Sequence, residues 1–405
     1  MSHIVIINRW REAYADYAAY LDHGADVVSY ITTEVGLGSV PDDARGIAIV
    51  DATDDLAQVR RALEALVERH GAPDRIVGLK EDDLLIAAAL RRDWDLPGHS
   101  TLDLMRFRDK FIMCRTILEA GLPVPAFAAA AGPADVLTFA ESAQWPLILK
   151  PRIGSSSDGV VKLNSAAELE SLVWPDQPMM VQAFNAGPIY HVDGVFTGRE
   201  LLCWRASRYT NTCLDFRSGR MLGSVEEDDP RTNEAIESAT TAFLAALTTK
   251  PTAFHLEVFV ESSSDTVTCS FLEVGARVGG AEIPFIWRDL HGYDLMEAAF
   301  RLQLGLRPAD PAPLDDDRTV GGWLLIPAPA VRPCLITEAT SMVSRRPGPY
   351  AETLLRPGEV LPAADAYYEH VGGRFRFRGS SSADVEAAIL ATAAAFRVSG
   401  EPLAA

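Results

Sequence analysis

The chain is poor in the features that mark several protein classes. It has five cysteines in 405 residues, Cys114, Cys203, Cys213, Cys269 and Cys334. The number is odd and no two form a C-x-x-C pair, which argues against a disulfide framework and a cysteine-rich zinc site. No apolar run is long enough to span a bilayer. The opening residues, MSHIVIINRW, lack a basic region followed by an apolar core and a cleavage site, so a cytoplasmic protein is expected. Positive charge is also scarce: 37 Lys and Arg stand against 56 Asp and Glu, a net charge of -19. Such a surface repels phosphate backbones and anionic lipid, which excludes nucleic acid and membrane as partners. An anionic ligand must then be held by a local group of cations.

What is present is an ordinary globular composition, 48% hydrophobic and 23% charged. The length suits two or three lobes. The first part alternates short apolar strands (HIVIIN, ADVVSYIT, GIAIVDA, DRIVGL) with helical patterns. These patterns are EAYADYAAYLDHG, DLAQVRRALEALVERHG and LLIAAALRRDW. That alternation predicts an α/β fold with a Rossmann-like parallel sheet. The turn after the first strand, NRWREAY, has no glycine, so the dinucleotide glycine motif is lacking. After a break near LPGHSTLD, one helix is expected over LMRFRDKFIMCRTILEAG. Strand signals dominate from Gly187 onward, and an alanine-rich helix lies near the end.

Two stretches carry chemistry. In Lys150-Pro151-Arg152-Ile153-Gly154-Ser155-Ser156-Ser157-Asp158-Gly159, a strand delivers a lysine and a loop of small residues follows. Small residues let backbone N–H groups approach an anion, serine hydroxyls add donors, and lysine supplies a point charge suited to phosphate. A plain hairpin turn is the alternative reading of the loop. In Phe271-Leu272-Glu273-Val274-Gly275-Ala276-Arg277-Val278-Gly279-Gly280, a glutamate ends an apolar strand and an arginine follows four residues on. The preceding strand, AFHLEVFV, holds Glu257 between apolar neighbours. Carboxylates on successive strands suit magnesium, with phosphates completing its oxygen shell. Solvent-facing charge at a strand edge is the alternative, and for Glu257 alone it is the better one. Arg108-Asp109-Lys110 reads by itself as a solvated helix face.

Taken together, Asp109-Lys110 before AGLPVP, then LILKPRIGSSSDGV, MMVQAFNAGPIYHVDG, HLEVFV and FLEVGARVGG resemble the ATP-grasp superfamily. The branch resembled is that of the carboxylate-amine ligases, which includes L-amino acid ligases. The likeness covers roughly residues 75 to 305. It implies an N-terminal α/β domain over 1–100, a small nucleotide lobe over 101–185 and a large lobe with a C-terminal subdomain over 186–405.

It also implies ATP and Mg2+ as cofactors. Lys110 and Lys150 would contact the phosphates, beneath a flap of Gly154, Ser155, Ser156 and Ser157. Gln182, Ala183 and Phe184 would hold adenine, and Glu257 and Glu273 would bind the metal. Arg277, as catalytic residue, would join Gly279 and Gly280 on the substrate carboxylate. The activity implied is ADP-forming amide or peptide bond formation through an acyl phosphate, with amino acids as substrates; a homodimer is the common default for a soluble enzyme, whatever the family. Acyl transfer to a carrier protein or another acceptor is the alternative within the class. A non-catalytic nucleotide-binding protein is the alternative outside it. Three positions depart from the pattern: Gly275 stands where many members have a metal-binding asparagine, Gln182 or Ala183 where many have glutamate, and Ile189 where a ribose-binding acid is common.

Overall fold

The computed structural model describes residues 1–10, 14–311, 319–363 and 371–403. The N-terminal strands His3–Asn8, Val27–Thr32, Gly46–Ile49 and Arg75–Gly78 form one parallel sheet. His3–Asn8 lies between Val27–Thr32 and Arg75–Gly78, and Gly46–Ile49 is at the edge. The helix Leu56–His70 is capped by Asp55, whose carboxylate accepts from the N–H groups of Ala57 and Gln58. It buries Val59, Leu63 and Leu66, a stripe at helical spacing.

Two sequence expectations change here. The helix read over residues 12–24 is one turn, Tyr17–Tyr20, with residues 12 and 13 outside the described set. Its extension is blocked because the Asp22 carboxylate accepts from the N–H groups of Gly24 and Ala25, forming a turn instead. The helix read continuously through Arg108-Asp109-Lys110 is two helices, Thr101–Arg108 and Lys110–Glu119. Asp109 is extended (φ -92°, ψ 105°) and caps the second helix through the N–H groups of Phe111 and Ile112. A short polar side chain that satisfies orphan amides at this point makes the break more favourable than a continuous helix.

A small antiparallel sheet follows, ordered Phe127–Ala130, Met179–Ala183, Leu147–Pro151, Val161–Leu163. The centre of the molecule is an eight-stranded antiparallel sheet. Its order is Val267–Gly275, Thr252–Ser262, Ile189–Phe196, Leu201–Tyr209, Leu222–Glu226, Val320–Pro327, Val371–Gly379, Ala351–Leu354. Strand alternation splits this sheet into two faces. Val192, Phe196, Phe254, Leu256 and Val258 pack with Met113 and Ile117 of one helix and with Ile236, Phe243 and Leu247 of Pro230–Leu247. The opposite face carries His191, Asp193, His255, Glu257 and Glu273 and turns toward the N-terminal sheet. Around them Val195, Ala253, Trp323 and Leu325 share a core with Ile4, Ile6, Tyr30 and Val77. No helix among the described residues is long and apolar enough to cross a membrane.

Candidate active site

Register places Glu257 directly opposite Glu273 on neighbouring strands, so their side chains leave the same face. Both were expected as metal ligands, and the solvent-facing reading of Glu257 fails: its side chain is 13% exposed. Burial works against its charge, but His255 and the Tyr209 hydroxyl outweigh burial and lower its pKa. Tyr209 donates to Glu257 at 2.9 Å, and His255 Nε2 lies 3.7 Å away. The Glu273 side chain, 37% exposed, is open to a ligand, with Lys110 Nζ at 3.6 Å.

Behind Glu257 runs a buried chain of polar groups. Asp193 hydrogen-bonds His255 Nδ1 at 2.8 Å and His191 Nδ1 at 2.6 Å, and His191 Nε2 meets the Ser224 hydroxyl at 2.6 Å. Burial opposes charge on Asp193, but the two imidazoles win and hold its carboxyl far below the usual range. Burial also opposes charge on His255, yet Asp193 pushes it up to about 9. Metal-ligating atoms of the three residues lie within 4.8 Å of one another. The imidazole nitrogens that face Asp193 are engaged by its carboxylate, so the cluster orients His255 against Glu257 rather than converging on an ion.

The second wall of the site is the small antiparallel sheet with the helix Lys110–Glu119. Lys150, at the end of Leu147–Pro151, is 3% exposed and donates to Gln182 Oε1 at 2.8 Å. Burial lowers its pKa. Lys110, at the N-terminus of Lys110–Glu119, donates to the Gly154 carbonyl at 3.0 Å, and its own N–H donates to the Arg152 carbonyl. Asp109 holds Arg152 through both carboxylate oxygens, so helix start and flap base are joined. In the flap, Ser156 (φ 57°) and Ser157 (φ 55°) sit in the left-handed region, which costs a non-glycine residue ~1 kcal/mol or more. Gly159 (φ 67°) makes the return turn. Arg217, shortly before the strand Leu222–Glu226 of the large sheet, reaches across to Asp158 at 2.6 Å and to the Ser156 carbonyl at 3.1 Å.

Along the expected adenine strand, Gln182 is buried while Phe184 stays exposed beneath the Lys162 ammonium. Ala183 N–H is taken by the Ala126 carbonyl at 2.8 Å.

Arg277 follows the strand of Glu273. Its Nε donates to Glu81 at 2.6 Å and one terminal nitrogen to the Val278 carbonyl at 3.1 Å. Gly279 is required by packing: a Cβ there would collide with Asp193 Oδ1 and lie 2.8 Å from His255 Nδ1. A Cβ on Gly280 would meet nothing within 4 Å.

Sequence reasoning missed Glu81, Arg108, His191, Asp193 and Arg217. HVDG lay within a quoted motif, and its period-two spacing was the available signal for the histidine and the aspartate. Among the aromatic and charged residues nearby, Tyr209 reaches the site through Glu257. Trp204 instead bonds Glu237 and Arg208 bonds Glu386. Glu282 faces Arg374 and Arg376. Arg205 and Trp287 line a small cavity beside His191 and Asp193.

No protein-family model matches the chain. By sequence it is similar to an L-arginine-specific L-amino acid ligase of Bacillus subtilis, 23% identical over 270 residues. That match spans 64% of this chain and 64% of the relative, somewhat under two thirds of its length. By structure it is similar to an L-amino acid ligase from Bacillus licheniformis, with a TM-score of 0.75, 18% identity and 99% of each chain covered. A carboxyaminoimidazole ribonucleotide synthase from Aspergillus clavatus, solved in complex with ATP, gives a TM-score of 0.67 at 14% identity. It covers 95% of this chain and 96% of that one. The fold is the ATP-grasp fold that the motifs led one to expect, and the sequence relative is a ligase.

Proposed function

We propose that this chain, ATP-grasp in fold and similar in sequence to an amino acid ligase, is an ADP-forming ligase that joins a carboxylic acid to an amine, with amino acids as the substrate class. The observation that carries this reading is the register pair Glu257–Glu273 set between Lys110, Lys150 and Arg277. Two adjacent carboxylates are hard oxygen donors, Glu257 is kept charged, and Glu273 is accessible, so the pair fits magnesium. When bound, magnesium neutralises charge on polyphosphate oxygens. Glu257 and Glu273 would hold it.

The chain's own residues supply the rest. Lys150 donates to a neutral amide and Lys110 to a backbone carbonyl, neutral acceptors that a phosphate oxygen could replace. A carboxylate is a poor acyl donor. Once its oxygen takes the γ-phosphoryl group, with the bond to ADP breaking, the acyl carbon carries a good leaving group. The amine then attacks that carbon, loses its proton and displaces phosphate. Arg277 would stabilise the oxyanion of that step. The flap from Gly154 to Ser157 would exclude water, which otherwise hydrolyses the activated acid.

ADP release by the purified protein with magnesium and ATP, across pairs of amino acids, tests the reading together with mass spectrometry of each mixture. ADP with a new dipeptide mass is expected for at least one pair. Absence of ADP with every pair, while a nucleotide analogue binds, would overturn the assignment of amino acids as substrates.

A further inference from the structure

We infer that Glu81, from the N-terminal domain, is a positioning residue of the reaction centre: it fills the space that a side chain at position 275 would take and fixes the Arg277 guanidinium. The inference rests on the ligase reading above.

Gly275 ends the strand Val267–Gly275, two residues beyond Glu273 and opposite His255. Its backbone is not among the positive-φ glycines, so conformation does not demand glycine there. Space does. A Cβ at 275 would lie 2.6 Å from Glu81 Oε2 and 3.4 Å from Arg277 Nε. The first distance is well inside van der Waals contact, so a side chain at 275 and the Glu81 carboxylate exclude one another. The position that reads in sequence as a lost metal ligand is the clearance for a carboxylate arriving from another domain.

Both oxygens of that carboxylate are engaged. Oε2 accepts from Arg277 Nε at 2.6 Å, and Oε1 lies 2.7 Å from an Arg108 terminal nitrogen. Burial disfavours charge on Glu81, but Arg277 and Arg108 prevail and hold its pKa down to about 2. A carboxylate clamped by two guanidinium groups serves those cations and not a metal. With Nε on Glu81 and one terminal nitrogen on the Val278 carbonyl, the guanidinium plane is fixed. Among the described residues, no hydrogen bond takes its remaining nitrogen, which is left for substrate. The three partners come from three places: the turn Glu81–Asp83 after the fourth strand, the end of Thr101–Arg108, and the segment after Gly275. Arg277 is therefore aimed only when the N-terminal domain is docked.

A double-mutant cycle between Glu81→Ala and Gly275→Ala tests this. Glu81→Ala should lower kcat about 100-fold, the size of effect that a misplacement of about 1 Å produces, with KM for ATP within about twofold. Glu81→Gln keeps the shape and an acceptor, and should recover about tenfold of that loss. Gly275→Ala should lower kcat and the thermal midpoint in the parent protein, and should change both little once Glu81 is alanine. The inference is overturned if Glu81→Ala leaves kcat within twofold, or if the two substitutions are additive. Should the parent protein form no ADP, the ligase reading itself fails. The midpoints alone still report the 275–81 contact, and additive midpoints would reject it.

Discussion

The two walls of the cleft treat charge differently. At the face of the large sheet, buried carboxylates have side-chain partners able to carry positive charge: Asp193 between two imidazoles, Glu257 against His255, and Glu81, arriving from the N-terminal domain, between two guanidinium groups. On the side of the small sheet, the two lysines donate to neutral groups, Lys150 to an amide and Lys110 to a backbone carbonyl, with Glu273 3.6 Å from Lys110, and the flap is tied by an exposed ion pair. Fully paired groups in a low-dielectric site are rigid and costly to disturb. Cations held by neutral partners exchange those partners readily for phosphate. The large-sheet face is thus built before the ligands arrive, and the small-sheet side is left for the ligands to complete.

Breaking the prepared wall should have the largest effect. Glu273→Ala removes one of two expected metal ligands, and Arg277→Ala removes the cation proposed to meet the oxyanion. Each should lower the rate of ADP formation by about 10³-fold or more in the presence of substrate. Saturating nucleotide should not restore either, because the loss lies in the chemical step. Retained activity in both would overturn the site assignment.

Two neighbours on one turn sharpen the contrast. Glu81 and Asp83 are both buried, but Asp83 has one hydroxyl, that of Thr53 at 2.8 Å, and its second oxygen has no hydrogen bond among the described residues. Burial pushes Asp83 up to about 7, whereas Glu81 is held at about 2. The signs are opposite. The folded state binds the Glu81 proton more weakly than the unfolded chain does, so its stabilisation is present above the ordinary glutamate value and fades as pH falls toward 2. The folded state binds the Asp83 proton more tightly, so stability falls as pH rises from about 4 to about 7, by on the order of 2–4 kcal/mol. Asp83→Asn removes that titration. Its thermal midpoint should exceed the parent's at pH 8, and the gap should shrink toward pH 4.5. Parallel profiles would show that Asp83 is not protonated on folding.

The sequence made much of this legible where local spacing carries it. Period-two alternation in HLEVFV is the signal that His255 and Glu257 share a face, and a lysine before small residues marked the proposed phosphate wall. Helical periodicity gave Leu56–His70 and Lys110–Glu119. It overran Asp109, because an aspartate inside an apolar pattern reads the same whether it faces solvent or caps a new helix. Glu81 was illegible for another reason. It is one of three consecutive acids, and its partner Arg277 lies 196 positions away, so no spacing announces the pair. Gly275 could be read only as a missing ligand, since the carboxylate that fills its space comes from a different domain.

The smallest test concerns the flap tie. Arg217 holds Asp158 across the cleft, but the Asp158 side chain is 75% exposed. An exposed pair of this kind adds little to stability, typically under ~1 kcal/mol, because water screens it and ordering two long side chains costs entropy. Its effect should be on the flap, whose left-handed Ser156 and Ser157 are strained and need outside contacts to stay in place. Arg217→Ala should leave the thermal midpoint within about 1 °C and raise KM for ATP about two- to fivefold, with kcat nearly unchanged. Added salt should move the parent toward the variant, since it screens the same exposed pair. A large fall in kcat would mean that the tie belongs to the prepared wall, and that the division between the two sides of the cleft is drawn in the wrong place.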